Sequence, residues 1–166
     1  MDTNDEPVGR ILVVDDNEQN RQLAQATLED EGYEVVLACS GREGLSCFDA
    51  VEPDCVLLDV RMPDLDGFAV CSAIRARERR RDTPIVFLTA QRDVDTFDKA
   101  LLVGADDFLT KPVRPTELVV RVRAALRLGR MGASLREQFA LVRQQRDDLM
   151  RVQLQKERLS AFVVHD

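Results

Sequence analysis

The feature that most constrains the fold is a regular alternation of short apolar runs with longer segments in which apolar residues recur at helical spacing. Strands are predicted around these runs, at residues 10–14, 34–38, 55–58, 85–88 and 106–109. Nearly continuous apolar runs of this length are typical of strands buried on both faces of a parallel sheet. Five such strand–helix units predict an α/β fold with a doubly wound, five-stranded parallel sheet.

Polar side chains stand at the carboxyl ends of four predicted strands. They are, in chain order, Asp15 and Asp16, then Asp59, Thr89 and Lys111. The carboxyl ends of parallel strands share one edge of the sheet, which is where ligands bind in open α/β folds. We therefore expect three carboxylates, one hydroxyl and one ammonium group to meet in a single pocket.

This set of groups suits the transfer of a phosphoryl group to a carboxylate. Carboxylates are hard oxygen ligands that bind magnesium (Mg2+), and a bound cation offsets the repulsion between crowded acids. Phosphoryl transfer needs positioning and neutralised charge, and the product would be an aspartyl phosphate. Taken singly, each acid has an ordinary alternative as a helix cap or a loop acid. The combination favours a phosphorylation site.

Four segments resemble the receiver domain of two-component response regulators, over about residues 9–128. They read VVDDN at 13–17, LLDVRMPDLDG at 57–67, PIVFLTA at 84–90 and GADDFLTKP at 104–112. The resemblance implies a flavodoxin-like sheet with strand order 2-1-3-4-5. It also implies that Asp59 is the phosphoacceptor and that a histidine kinase or a phosphotransfer protein is the donor.

The resemblance further implies a set of Mg2+ ligands. Asp16 and Asp59 would bind the ion directly, together with the backbone carbonyl of Arg61. Asp15 would act mostly through water. Arg61 and Gln91 flank the expected pocket, and we expect them to influence the lifetime of the phosphate.

A switch is implied by the same resemblance. Thr89 and Lys111 would contact the phosphoryl group, and the ring of Phe108 would turn inward as Thr89 moves. The surface of the fourth helix, fifth strand and fifth helix would change as a result. Lys111 and Pro112 would be joined by a cis peptide bond. The alternative for Phe108 is a plain packing role in the core.

Residues 129–166 have a different character, with few aromatic residues and many Arg and Gln. One heptad position holds Leu128, Leu135, Val142, Leu149, Lys156 and Val163, and the other holds Met131, Gln138, Gln145, Val152 and Leu159. This repeat favours a dimerising coiled coil with polar interruptions over a solitary solvated helix. It predicts a homodimer formed through a long C-terminal helix, which Gly129 and Gly132 would weaken where the helix leaves the domain.

The final residues, 158–166, resemble the start of the phosphoacceptor-histidine box of sensor kinases, with His165 at the phosphoacceptor position. On this interpretation the chain is the regulatory front part of a hybrid histidine kinase. The alternatives are a histidine that ends an ordinary linker helix and a scaffold that is never phosphorylated. We find no ATP-binding domain in these residues, so the prediction leaves open whether the protein is an enzyme.

The charge and composition limit the kinds of partner and the cell compartment that we expect for this protein. Residues 1–128 carry 25 acidic and 16 basic residues, which argues against nucleic acid as a direct partner. No apolar run is long enough to span a bilayer, so we expect no membrane partner. Four cysteines without a CxxC pair predict reduced core residues in a cytoplasmic protein. Residues 1–8 are polar and acidic, and we expect them to be disordered.

Overall fold

A computed structural model describes residues 7–90 and 94–164. Strands and helices alternate along this part of the chain. The strands are β1 (Arg10–Val14), β2 (Glu34–Ala38), β3 (Cys55–Asp59), β4 (Ile85–Thr89) and β5 (Asp107–Thr110). The helices are α1 (Glu18–Asp30), α2 (Gly41–Val51), α3 (Gly67–Arg75), α4 (Val94–Val103) and α5 (Pro115–Val164).

The five strands form one parallel sheet in the order β2-β1-β3-β4-β5. The predicted fold class and strand order are therefore confirmed. The register pairs Val14 with Leu58 between β1 and β3, and Asp59 with Leu88 between β3 and β4. The four strands that end in polar residues are thus neighbours in the sheet, with their carboxyl ends at one edge.

Apolar side chains of the strands alternate between two cores, one on each face of the sheet. One core joins strand residues such as Ile11 and Leu57 to α1 and α5. The other joins Leu12 and Leu58 to α2, α3 and α4. Burial of both strand faces explains why the strand sequences are almost entirely apolar.

Three of the helices have a polar N-cap residue at the carboxyl edge of the sheet. Asn17, Ser40 and Asp66 accept hydrogen bonds from backbone N–H groups of α1, α2 and α3, respectively. Such caps satisfy donors that the first helical turn leaves unpaired. For α1 the cap is Asn17, next to the acidic pair Asp15 and Asp16. Strand β5 is displaced by one residue from the predicted 106–109.

Arg75 links α3 to the amino edge of the sheet, opposite the carboxyl edge that holds the polar residues. Its guanidinium donates to the carbonyl oxygens of Gly104, Arg81 and Thr83 at 2.6–3.0 Å. It also pairs with the carboxylate of Asp106 at 2.8 Å, and that carboxylate accepts from the backbone N–H of β4 at Ile85. These contacts fix the amino ends of β4 and β5 and so limit the movement of their carboxyl ends.

The two ends of α5 belong to different compact units, and the division follows Gly129. The helix is continuous across Gly129 and Gly132, and the predicted weakening at these glycines stays a prediction. From Arg130 onward the described large apolar side chains are exposed, and several are heptad residues: Met131, Leu135, Val142, Leu149, Val152 and Leu159. The homodimer assigned to this helix stays a prediction, and His165 lies outside the described residues.

The cysteine prediction was only partly right. All four thiols are free, but only Cys55 and Cys71 are buried. Cys39 is exposed because it follows β2 at the edge of the sheet, where its thiol donates to the carboxylate of Glu43 at 2.8 Å. Within residues 7–90 and 94–164, none of the helices combines the length and apolarity that a membrane crossing requires.

Candidate functional site

The carboxyl edge of the sheet collects the polar residues that the sequence singled out. Asp15 is fully buried, while Asp59 and Thr89 are 6% and 5% exposed. Asp16 is exposed, so it faces the opening of the pocket. Buried acids of this kind are rare unless they are paired or bind a cation, which marks this edge as a functional site.

Asp15 is held by hydrogen bonds at each of its polar groups. One carboxylate oxygen accepts from the backbone N–H of Asn17 at 2.9 Å, and the other accepts from Lys111 Nζ at 3.0 Å. Its backbone N–H donates to Ala38 in β2. Its carbonyl oxygen accepts from the guanidinium of Arg21 at 2.7 Å. Asp15 is therefore a fixed part of the pocket wall.

Lys111 bridges the two buried carboxylates. Its Nζ lies 3.0 Å from the carboxylate of Asp15 and 3.2 Å from that of Asp59. The backbone N–H of Lys111 donates to the carbonyl of Thr89 at 2.7 Å, which anchors the residue to the end of β4. The Lys111–Pro112 peptide bond is cis, as the resemblance implied.

Three carboxylates converge in the pocket. Oxygen atoms of Asp15, Asp16 and Asp59 all lie within 4.8 Å of one another. Oxygen-only ligands at this spacing fit a hard cation such as Mg2+, which takes one or two carboxylates and keeps several waters. The three carboxylates therefore fit the metal that the sequence predicted, and the carbonyl of Arg61 stays a predicted ligand.

The titration of the pocket reflects its crowded negative charge. Burial, reinforced by the nearby charge of Asp15, raises the pKa of Asp59 to about 7, although Lys111 opposes the shift. Burial alone would lower the pKa of Lys111, but its hydrogen bond to Asp15 and the charges of both carboxylates raise it. One ammonium group does not offset two buried carboxylates, so the pocket favours taking up a proton or a further cation.

Gly67 allows the loop after Asp59 to fold closely against the end of β3. Its backbone N–H donates to the carbonyl of Val60 at 2.9 Å. A Cβ at this position would overlap the carbonyl oxygen of Asp59 and approach Val60 Cα to 2.9 Å. Only glycine therefore fits here, and α3 begins at this residue.

Phe108 lies half-buried on β5, next to the site. Its ring contacts the ring of Phe97 on α4, with the centroids 4.2 Å apart. Arg61, two residues after Asp59, is exposed. Gln91 lies outside the described residues.

The structure also brings in residues to which sequence reasoning gave no role. Arg21, Gly67 and Phe97 each contact a predicted site residue or its backbone. Gly67 belongs to a quoted motif, and its position before a helix hinted at a close approach. Arg21 and Phe97 carried no such signal, because a helical arginine and an apolar helix residue are common in any sequence.

Comparisons with known proteins agree with this geometry. A sequence profile described as response regulator receiver domain matches residues 11–123. The probable transcriptional regulator ycf27 of Cyanophora paradoxa is 45% identical over 118 residues, which are 71% of this chain and 48% of that protein. The chain thus spans about half the length of the curated relatives it matches. Because such relatives are named transcriptional regulators, they do not support the predicted exclusion of nucleic acid.

Solved structures give the same assignment. CheY4, a chemotaxis protein of Vibrio cholerae, has a TM-score of 0.68 and 34% identity, over 70% of this chain and 97% of that one. The signal receiver domain of a signal transduction histidine kinase from Syntrophus aciditrophicus has a TM-score of 0.67 and 33% identity, over 72% and 90%. With its acidic pocket, its lysine and its sheet order, the chain belongs to the response regulator receiver domain family.

Proposed function

We propose that this chain is a Mg2+-dependent phosphoacceptor whose acceptor is Asp59. Receiver domains accept phosphate from histidine kinases or phosphotransfer proteins. The observation that supports the proposal most is the convergence of Asp15, Asp16 and Asp59, with Lys111 between the two buried acids. We assign the acceptor to Asp59 because its carboxylate contacts Lys111 at the end of the central strand β3, whereas both carboxylate oxygens of Asp15 already accept hydrogen bonds, from Asn17 and Lys111.

In the proposed reaction, a carboxylate oxygen of Asp59 attacks phosphorus of the donor. An oxygen–phosphorus bond forms as the bond between phosphorus and the leaving group of the donor breaks, and the leaving group keeps the electron pair. Lys111 donates a hydrogen bond to the transferred group, and the hydroxyl of Thr89 turns toward it. Bound Mg2+ would supply charge neutralisation for the phosphoryl oxygens, held by Asp16, Asp59 and the carbonyl of Arg61.

The proposed output begins at Thr89. Movement of its hydroxyl toward the phosphate frees space for Phe108, whose ring contacts Phe97 of α4. An inward turn of Phe108 would break this contact and so change the surface of α4, β5 and α5. A local charge event would bias a two-state element in this way.

The proposal continues into the C-terminal helix. The exposed heptad residues from Met131 to Leu159 would pair with a second copy of the helix and carry the change in the receiver onward. Coiled-coil pairing would bury side chains that are each more than half exposed in one chain, and burial of apolar area is the driving force.

The test is the intact mass of the protein after incubation with Mg2+ and acetyl phosphate. We expect one added phosphoryl group on the wild type and none on Asp59→Asn. Asp98→Asn is a matched control, because Asp98 is an exposed acid on α4, and it should be labelled like the wild type. Labelling that persists in Asp59→Asn would place the acceptor elsewhere.

The comparisons support two settings for the whole protein. The curated relatives are named as probable transcriptional regulators, which favours a gene-regulatory output. The similarity to the receiver of a histidine kinase, together with the position of His165, favours the regulatory part of a hybrid kinase. The sequence that follows Asp166 in the gene distinguishes them. If neither the wild type nor the variants take up phosphate from any donor, a scaffold remains as the alternative.

A further inference from the structure

We propose that Arg21 is a positioning residue for the metal site. Its guanidinium fixes the peptide group between Asp15 and Asp16, and so presets the exposed carboxylate of Asp16 toward Asp59. The inference rests on the Mg2+ site proposed above and adds to it a residue of α1 that lies outside the acidic cluster.

The contacts of Asp15 show what Arg21 contributes. The carboxylate of Asp15 is held by Asn17 and Lys111, and its N–H is held by Ala38. The carbonyl oxygen is held by the side chain of Arg21 at 2.7 Å. This bond is the one that reaches the peptide group leading into Asp16.

The geometry of the peptide bond transmits this contact to Asp16. The carbonyl oxygen of Asp15 lies in one plane with the nitrogen and Cα of Asp16. Holding that oxygen therefore restricts the direction in which the side chain of Asp16 leaves the backbone. Asp16 is exposed, so its carboxylate has more freedom to lose on binding a cation than the buried carboxylates have. Prior ordering of the backbone reduces that loss.

Two possible effects of Arg21 on the affinity for Mg2+ have opposite signs: repulsion of the cation by its charge, and orientation of a metal ligand by its hydrogen bond. A guanidinium close to a cation site repels the cation, so removing its charge alone would tighten Mg2+ binding. Removing a group that orients metal ligands weakens binding instead, by about tenfold or more in many sites. The sign of the change therefore separates the two roles. A purely structural role in α1 would alter stability without altering the affinity for Mg2+.

The experiment measures the thermal unfolding midpoint of the full chain as a function of Mg2+ concentration, without any phosphodonor. A ligand that binds only the folded state raises the midpoint according to its dissociation constant. For Arg21→Gln we expect the dissociation constant for Mg2+ to rise about tenfold. Arg21→Lys keeps the charge and one donor, so we expect a rise of about threefold. Arg42→Gln removes an exposed arginine of α2 and should match the wild type.

Unchanged or tighter Mg2+ binding in Arg21→Gln would overturn the inference. Equal weakening in Arg42→Gln would also overturn it, because the effect would then be one of general charge. If Arg21→Gln is too unstable to measure, Arg21→Lys decides, and wild-type affinity there is contrary to the proposal. No Mg2+ response in the wild type would overturn the metal site and the role of Arg21 together. A normal Mg2+ response without phosphorylation would refute only the phosphoacceptor function.

Discussion

The raised pKa of Asp59 predicts that this carboxylate destabilises the metal-free protein at neutral pH. Its pKa rises from 3.8 to about 7 on folding, so the folded state binds the proton more tightly than the unfolded state does. The stability linked to this proton is fully present below about pH 4 and is lost as the pH rises through about 7. Replacing Asp59 by Asn removes this loss and should stabilise the protein at high pH.

The magnitude follows from the linkage between pKa and stability. Each pKa unit corresponds to about 1.4 kcal/mol, so the full rise corresponds to about 4 kcal/mol, of which about 2.5 kcal/mol falls between about pH 5 and pH 8. Lys111 lies in the same pocket and opposes the rise in the pKa of Asp59. We therefore expect the stability advantage of Asp59→Asn to grow by about 2 kcal/mol over this pH range.

The assay is urea unfolding in EDTA at about pH 5 and at about pH 8, with tyrosine fluorescence as the signal. Tyr33 is the only tyrosine and the chain has no tryptophan. Tyr33 is also buried in the α1–α5 core, so its signal reports the unit that holds the site. Asp98→Asn, at an exposed acid of α4, is the control for the loss of one carboxylate away from the pocket.

An advantage of Asp59→Asn that is the same at both pH values would refute the reasoning, since it would mean that Asp59 does not gain a proton on folding. Excess Mg2+ provides a second check. The cation competes with the proton for the same carboxylates, so the pH dependence should shrink when Mg2+ is added to the wild type. Persistence of the full dependence in saturating Mg2+ would place the cation away from Asp59.

Three further substitutions test the packing around the site and the pairing of the C-terminal helix. Gly67→Ala forces a Cβ against the carbonyl of Asp59 and should cost about 2 kcal/mol in urea unfolding, and also slow phosphorylation by acetyl phosphate. Leu57→Ala opens a cavity in a fully buried strand and should cost about 3 kcal/mol by the same assay, with Mg2+ binding kept. The double change Leu135→Gln and Leu149→Gln should convert a dimer to a monomer in sedimentation, whereas Ala140→Gln, off the heptad positions, should not; a wild type that sediments as a monomer would contradict the coiled coil.

The sequence by itself determined the sheet and the principal residues of the site. Almost wholly apolar strands can be buried only between two layers of helices, which leaves little choice of fold class. Parallel strands bring their carboxyl ends to one edge, so Asp15, Asp59, Thr89 and Lys111 had to be close once the strands were recognised. The sequence could predict this because the spacing of apolar residues along the chain repeats with the period of a helix or a strand.

Only the tertiary structure decided how the groups of the site act on one another. The bridge from Lys111 to two carboxylates, the raised pKa of Asp59 and the bond from Arg21 to the Asp15 carbonyl depend on burial and distances between separate elements. The fifth strand also shifted by one residue, since tertiary contacts select among nearly equal local choices. Sequence periodicity specifies which faces are buried, whereas electrostatics and close packing depend on what the opposing element places there.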